Sequence, residues 1–169
     1  MSREGWSDFS MMSIKIVAVG RPGEDWIVKA GEEYIKRLTA FCRIKTLEVA
    51  PVNTAKNAGE TQIRAAVRSE GTQILKNARG GKIIALCIEG EAASSKQLAE
   101  KIQSFAVSGQ SSLTFCIGGS NGLSQEVKDA AVWKLSMSKM TFPHQLARLM
   151  LLEQIYRAFS IAANMPYHK

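Results

Sequence analysis

The order of apolar runs along the chain predicts an α/β domain with a mainly parallel sheet flanked by helices. Two observations carry this reading. Short apolar runs alternate with longer segments whose apolar residues recur every three or four positions. Breaks rich in glycine, proline and asparagine separate the two kinds of segment. Size supports it: 169 residues, 46% hydrophobic and 22% charged, suffice for one core without disulfides or a structural metal.

Residues 1–10 have no periodicity, and residues 1–11 are read as an N-terminal extension to a single domain over residues 12–169. Residues 13–19 (SIKIVAV) alternate partly and read as a strand, broken by Gly20, Pro22 and Gly23. From Glu24 to Phe41 the positions Trp26, Ile27, Ala30, Tyr34, Ile35 and Leu38 fall at helical spacing. Residues 44–49 form a second strand, ended by Pro51. Ile63, Ala66, Val67, Ile74 and Leu75 mark the next helix, which contains Gly71 and is closed by Gly80 and Gly81.

Residues 82–88 are an apolar run rich in β-branched residues, the pattern of a strand buried on both faces. Ser94 or Ser95 then caps a helix, with Gln97 completing a capping box after Ser94 and Leu98, Ile102 and Phe105 on its apolar stripe. Residues 113–117 form another buried strand, followed by the loop Gly118-Gly119-Ser120-Asn121-Gly122. A short helix over 124–131 leads to a strand over 132–137, and a long helix runs from about Pro143 to Ala163.

Several function classes are excluded early. No apolar run approaches the roughly 20 residues that span a bilayer, and the polar start Met1-Ser2-Arg3-Glu4 is no secretory signal. A cytosolic protein is expected. Cys42, Cys87 and Cys116 are too few and too scattered for zinc, and with only His144 and His168 a histidine-based metal site is not expected. All three cysteines read as small buried hydrophobes. Lysine and arginine exceed acids by 22 to 15, giving a net charge of +7. That excess fits a polyanionic partner and fits simple solubility equally well.

Ligands in open α/β sheets bind outside the carboxyl ends of strands, which is where the loop 118–122 falls. Its glycines admit either a ligand close to the backbone or merely a tight turn. The pattern is neither a dinucleotide fingerprint nor a P-loop, and Glu126 in the following helix would repel a phosphate. S-adenosylmethionine (AdoMet), cationic and without phosphate, escapes that objection. Pro143 suits a first helical turn, which puts His144 at the positive helix end, where the neutral imidazole is favoured. His144 is then either a proton acceptor or an ordinary helix-start residue. Arg148 lies one turn on, on the same side, and the two could contact a nucleotide. Glu153 and Arg157 read as a surface ion pair. The closing Tyr167, His168 and Lys169 combine a stacking ring with cations, a set suited to RNA, against a default of a frayed end.

Taken together, residues 14–20 (IKIVAVG), 115–124 (FCIGGSNGLS), 135–146 (LSMSKMTFPHQL), 153–158 (EQIYRA) and 166–169 (PYHK) resemble the RlmH (YbeA) family of ribosomal RNA large-subunit methyltransferases, in the SPOUT class. The resemblance runs from Met12 to Lys169. It implies a C-terminal trefoil knot, which periodicity could not suggest, and AdoMet as methyl donor. AdoMet contacts carried over by motif are Leu86, Gly118, Met137, Ser138, Lys139, Met140, Thr141 and Phe142. A homodimer is implied, with the partner helping to build the active site. The implied substrate is pseudouridine 1915 of 23S rRNA, methylated at N3 on the assembled ribosome.

Within that family frame His144 positions or deprotonates the base, while Arg148, or His168 and Lys169, hold phosphate or ring oxygens. Tyr167, His168, Lys169 and Arg148 are the expected RNA contacts. Two other classes fit the residues alone: a non-catalytic ribosome-associated RNA-binding module, and a flavodoxin-like nucleotide-binding enzyme.

Overall fold

A computed structural model describes residues 12–166; residues 1–11 and Tyr167, His168 and Lys169 lie outside the described residues. The elements follow in the order β1 Ser13–Val19, α1 Asp25–Leu38, β2 Arg43–Val49, α2 Glu60–Ala78, β3 Lys82–Ala92, α3 Ser95–Val107, β4 Ser112–Ile117, α4 Gln125–Ala130, β5 Trp133–Ser136 and α5 His144–Ala162. All strand pairs are parallel, in the order β2-β1-β4-β3-β5.

Alternation along β1 sorts the core into two layers. Ile14, Ile16 and Ala18 face Leu38 of α1, Leu98 and Ile102 of α3, and Leu151, Leu152, Ile155 and Phe159 of α5. Val17 and Val19 face Ile74 and Ala78 of α2 and Val127 of α4. Met12 is fully buried in the first layer. From residue 144 to 162 no residue of α5 is exposed, which accounts for its Leu-Met-Leu-Leu run: the helix is covered on every side to some degree. Ser95 Oγ bonds Gln154 Oε1 at 2.6 Å, tying α3 to α5. No helix among the described residues is long and apolar enough to cross a membrane.

Local chemistry sets the element ends. Gln97 N–H donates to Ser94 Oγ at 3.2 Å and Ser94 N–H to Gln97 Oε1 at 2.8 Å, the reciprocal capping box. Ser124 caps α4 through a bond from Val127 N–H. Gly71, inside α2, allows α2 to approach that cap: an added Cβ would lie 2.8 Å from Ser124 Cβ.

Three expectations change. The first helix stops at Leu38 rather than Phe41, because Thr39 Oγ1 bonds Lys36 O at 2.7 Å and the chain turns so that Arg43 N–H reaches Met12 O at 2.9 Å. The third strand continues to Ala92 instead of ending at Ile88, and it is sealed on both faces only near Ile84 and Ala85; Ile88 is 55% exposed. Cys42 and Cys116 are buried, their thiols pushed up to about 12 by desolvation. Cys87 is only half-buried.

Phe159 is 2% exposed and stacks on Phe41 with ring centroids 6.0 Å apart. Phe159→Ala should cost about 3–5 kcal/mol, measured as a lowered urea midpoint with unchanged slope; a loss below about 1 kcal/mol would mean that this layer repacks freely.

Candidate active site

The carboxyl ends of β3, β4 and β5 open into a cavity of about 680 Å³, within the range of ligand pockets. Three stretches wall it. The first is Leu86, Cys87, Ile88 and Glu89 of β3. The second is Ile117 of β4 with Gly118, Gly119, Ser120, Gly122 and Leu123 of the following loop. The third runs from Ser136 through Met137, Ser138, Met140, Thr141, Phe142 and Pro143 to His144, with Ala147 one turn into α5. Lys128 reaches in from α4.

Each stretch is shaped by a particular backbone arrangement. In β3, pairing with β5 jumps from Leu86↔Leu135 to Glu91↔Leu135, so residues 87–90 bulge out of the ladder toward the cavity. Gly90 lies where a Cβ would come within 2.7 Å of Lys134 O, and Trp133 Nε1–H holds Glu91 Oε2 at 2.8 Å beyond it. The glycine loop folds on itself through the Gly119↔Gly122 bridge, with Gly122 N–H to Gly119 O at 3.0 Å. The third stretch is fixed by Ser136 Oγ to Ser138 O at 3.1 Å and Met140 N–H to Ser138 Oγ at 3.0 Å.

Of the residues expected to contact the cofactor, the cavity gathers Leu86, Gly118, Met137, Ser138, Met140, Thr141 and Phe142. Lys139 is exposed and outside the wall, because the Ser138 turn directs the chain past it. Gly118 needs its missing side chain for a reason other than ligand approach. A Cβ there would run into the Gly122 backbone and come within 2.7 Å of Leu123 N.

His144 is the first residue of α5 and lines the cavity. A Cβ on Gly20 would lie 3.5 Å from His144 Nε2 and 3.2 Å from Gln145 Nε2, so the turn after β1 is packed against the start of α5. Arg148 departs from expectation. It is buried, its side chain 9% exposed, and it bonds Glu48 of β2 at 3.0 Å. Glu48 also holds Arg21 at 3.0 Å. Arg148 therefore ties α5 to β2 and does not line the cavity, since a buried guanidinium needs its carboxylate partner. Glu153 and Arg157 pair at 2.6 Å, partly buried rather than fully at the surface. Tyr167, His168 and Lys169 lie outside the described residues.

Sequence reasoning missed Glu89, Lys128, Cys87 and Gly20. Lys128 bonds Glu89, and that hydrogen bond is the main cause holding the Glu89 carboxyl below the usual range. The Cys87 thiol is raised, chiefly by desolvation and then by the Glu89 charge. No three His, Cys, Asp or Glu side chains gather as a metal site among the described residues.

A raised thiol is protonated and slow to react at neutral pH. Iodoacetamide should label Cys87 slowly at pH 7.5 and faster as pH rises past the ordinary thiol value, with Cys42 and Cys116 protected by burial. Labelling that is already fast and flat from pH 7 upward would contradict a desolvated Cys87.

A family profile described as "Predicted SPOUT methyltransferase" matches residues 12–168. The chain is 44% identical over 159 residues to a protein named "Ribosomal RNA large subunit methyltransferase H" from Clostridium botulinum, covering 94% of this chain and 100% of that one. It is 48% identical, with the same coverage, to a protein of the same name from Bifidobacterium animalis subsp. lactis. Among solved structures, a methylase family protein from Haemophilus influenzae shares the fold with a TM-score of 0.51 at 15% identity, over 94% of this chain and 71% of that one. The expected fold class, a parallel α/β sheet completed by a C-terminal trefoil knot, is the fold of that family. A match over nearly the whole chain, together with relatives above 40% identity, leaves one conclusion: the chain belongs to the SPOUT methyltransferase family.

Proposed function

We propose that this chain is an AdoMet-dependent ribosomal RNA methyltransferase that modifies N3 of a pseudouridine, pseudouridine 1915 of 23S rRNA, in the assembled ribosome. The observation that carries the reading is the composition of the cavity wall: apolar side chains and glycine backbone, with His144 at one margin. The naming of the relatives, matched over their full length, supports the RNA substrate. An RNA substrate of this kind argues for a cytoplasmic protein.

AdoMet fits this wall better than a phosphate-bearing cofactor does. Glu126 stands in the first turn of α4, its carboxyl lowered first by a hydrogen bond from its own backbone, and Glu89 lies in the wall itself. Glu89 sets negative charge in the wall, beside the Lys128 that pairs with it. Glu126 lies outside the wall and pairs with Arg68. A phosphate is therefore disfavoured by Glu89 and by the absence of a glycine-rich phosphate loop from the sequence. Leu86, Gly118, Met137, Ser138, Met140, Thr141 and Phe142 would hold the cofactor. When bound, AdoMet supplies an electrophilic methyl carbon whose sulfur departs as a neutral thioether.

The chain's own task is to align N3 with that carbon and to take the N3 proton. His144 accepts that proton, held at the cavity margin by the Pro143 start of α5 and given room by Gly20. With Arg148 engaged by Glu48, contact with RNA falls to Tyr167, His168 and Lys169, by stacking and by charge. The protein works as a homodimer in this reading, the half-covered Leu146, Leu149 and Met150 of α5 offering apolar area to a second copy that completes the site. Residues 1–11 are an extension outside the catalytic domain.

Two variants assayed on ribosomes lacking the modification test these roles. Deleting residues 167–169 should preserve folding, dimer mass and AdoMet affinity yet lower methyl transfer at least tenfold, about 1.4 kcal/mol of transition-state stabilisation. His144→Ala should lower kcat by about 10²–10⁴ with little change in AdoMet affinity. Wild-type rates from either variant would remove that residue from the mechanism. Binding of RNA without binding of AdoMet would favour the non-catalytic module.

A further inference from the structure

The cavity wall carries only two side chains of fixed charge among the described residues, Glu89 and Lys128, and they are bonded to each other. Each is mounted on a rigid support. Glu89 lies in the 87–90 bulge, whose far end is fixed by the close approach of Gly90 to the Lys134 and Leu135 backbone. Lys128 is on α4, set by the Ser124 cap and by the contact of that cap with Gly71. The Lys128 side chain is 20% exposed and that of Glu89 57%, so the ammonium is the more enclosed member and the carboxylate faces outward.

Around them the wall offers neutral hydroxyls from Ser120, Ser136, Ser138 and Thr141, and otherwise mostly apolar groups. An isolated charge in such a setting is costly, whereas an ion pair satisfies itself and can exchange partners with a ligand carrying both signs. Resting on the reading that this cavity holds AdoMet, we propose that Glu89 and Lys128 form a clamp for the zwitterionic amino-acid end of the cofactor. Glu89 receives its ammonium and Lys128 its carboxylate. Neither protein charge is left unpaired by the exchange, and charge-assisted hydrogen bonds replace those of the resting pair. The clamp reads an end of the cofactor that does not react, so it acts on binding and orientation, and it grips the demethylated product equally.

Calorimetry with two ligands tests this. S-adenosylhomocysteine carries the zwitterion, and methylthioadenosine keeps the nucleoside and thioether but lacks it. Glu89→Gln and Lys128→Met should each weaken S-adenosylhomocysteine about tenfold, roughly 1.4 kcal/mol, and leave methylthioadenosine within about twofold of wild type. Unchanged melting temperatures would exclude unfolding as the cause, and partial recovery in Lys128→Arg would support the charge itself. The clamp is overturned if S-adenosylhomocysteine affinity is unaffected, or if both ligands weaken together, since that pattern means the pair only shapes the wall. If wild-type protein binds neither ligand, the cofactor reading falls and the clamp with it.

Discussion

At two places on the carboxyl edge of the sheet, main chain meets main chain with no room for a Cβ. Gly90 packs on the backbone of Lys134 and Leu135, and Gly118 on that of Gly122 and Leu123. Glycine within a strand weakens it, by roughly 0.5–1 kcal/mol relative to alanine, so Gly90 in β3 is a local cost, whereas Gly118 lies in the loop after β4. Both contacts set shape. The first holds the 87–90 bulge out of the sheet, and the second curls the loop after β4 back on itself, so that both border a single cavity. The trefoil-knotted fold of the family adds a third border, the segment between β5 and α5.

Charge is divided by position. Arg148 and Glu48 lock α5 to β2 from residues far apart in sequence, and Arg21 completes the cluster at the surface. Such a partly buried pair organises more than it stabilises, because desolvation offsets much of its Coulomb energy. Glu89 and Lys128, by contrast, sit in the cavity wall, where a ligand can compete for them. Near neutral pH the lowered Glu89 carboxyl is ionised, and the stability contributed by its pairing declines only as acid protonates it in the folded state, a small effect for so exposed a group.

Much of the fold was legible because its signals are local. The Ser94–Gln97 box and the alternation of β1 depend on neighbours in sequence, and the elements appear where those signals fall. What escaped depends on distant partners. The apolar run reads as a strand ending at Ile88, yet β3 continues through Gly90 to Ala92 because β5 lies against it. Arg148 at one turn from His144 reads as a companion in the site, but Glu48 draws it away. Glu89 looks like an ordinary exposed acid until the bulge turns it into the wall. The residues from Met137 to Phe142 line the cavity apart from Lys139, which a serine-fixed turn leaves outside.

If the cavity serves methylation of large-subunit RNA, loss of the protein must remove a methyl group from that RNA. Mass spectrometry of ribosomal RNA from cells lacking this protein tests this most directly. One pseudouridine of the large-subunit RNA should lose a single methyl group, restored by the wild-type gene and not by the His144→Ala gene. An RNA methylation pattern identical with and without the protein would contradict that function.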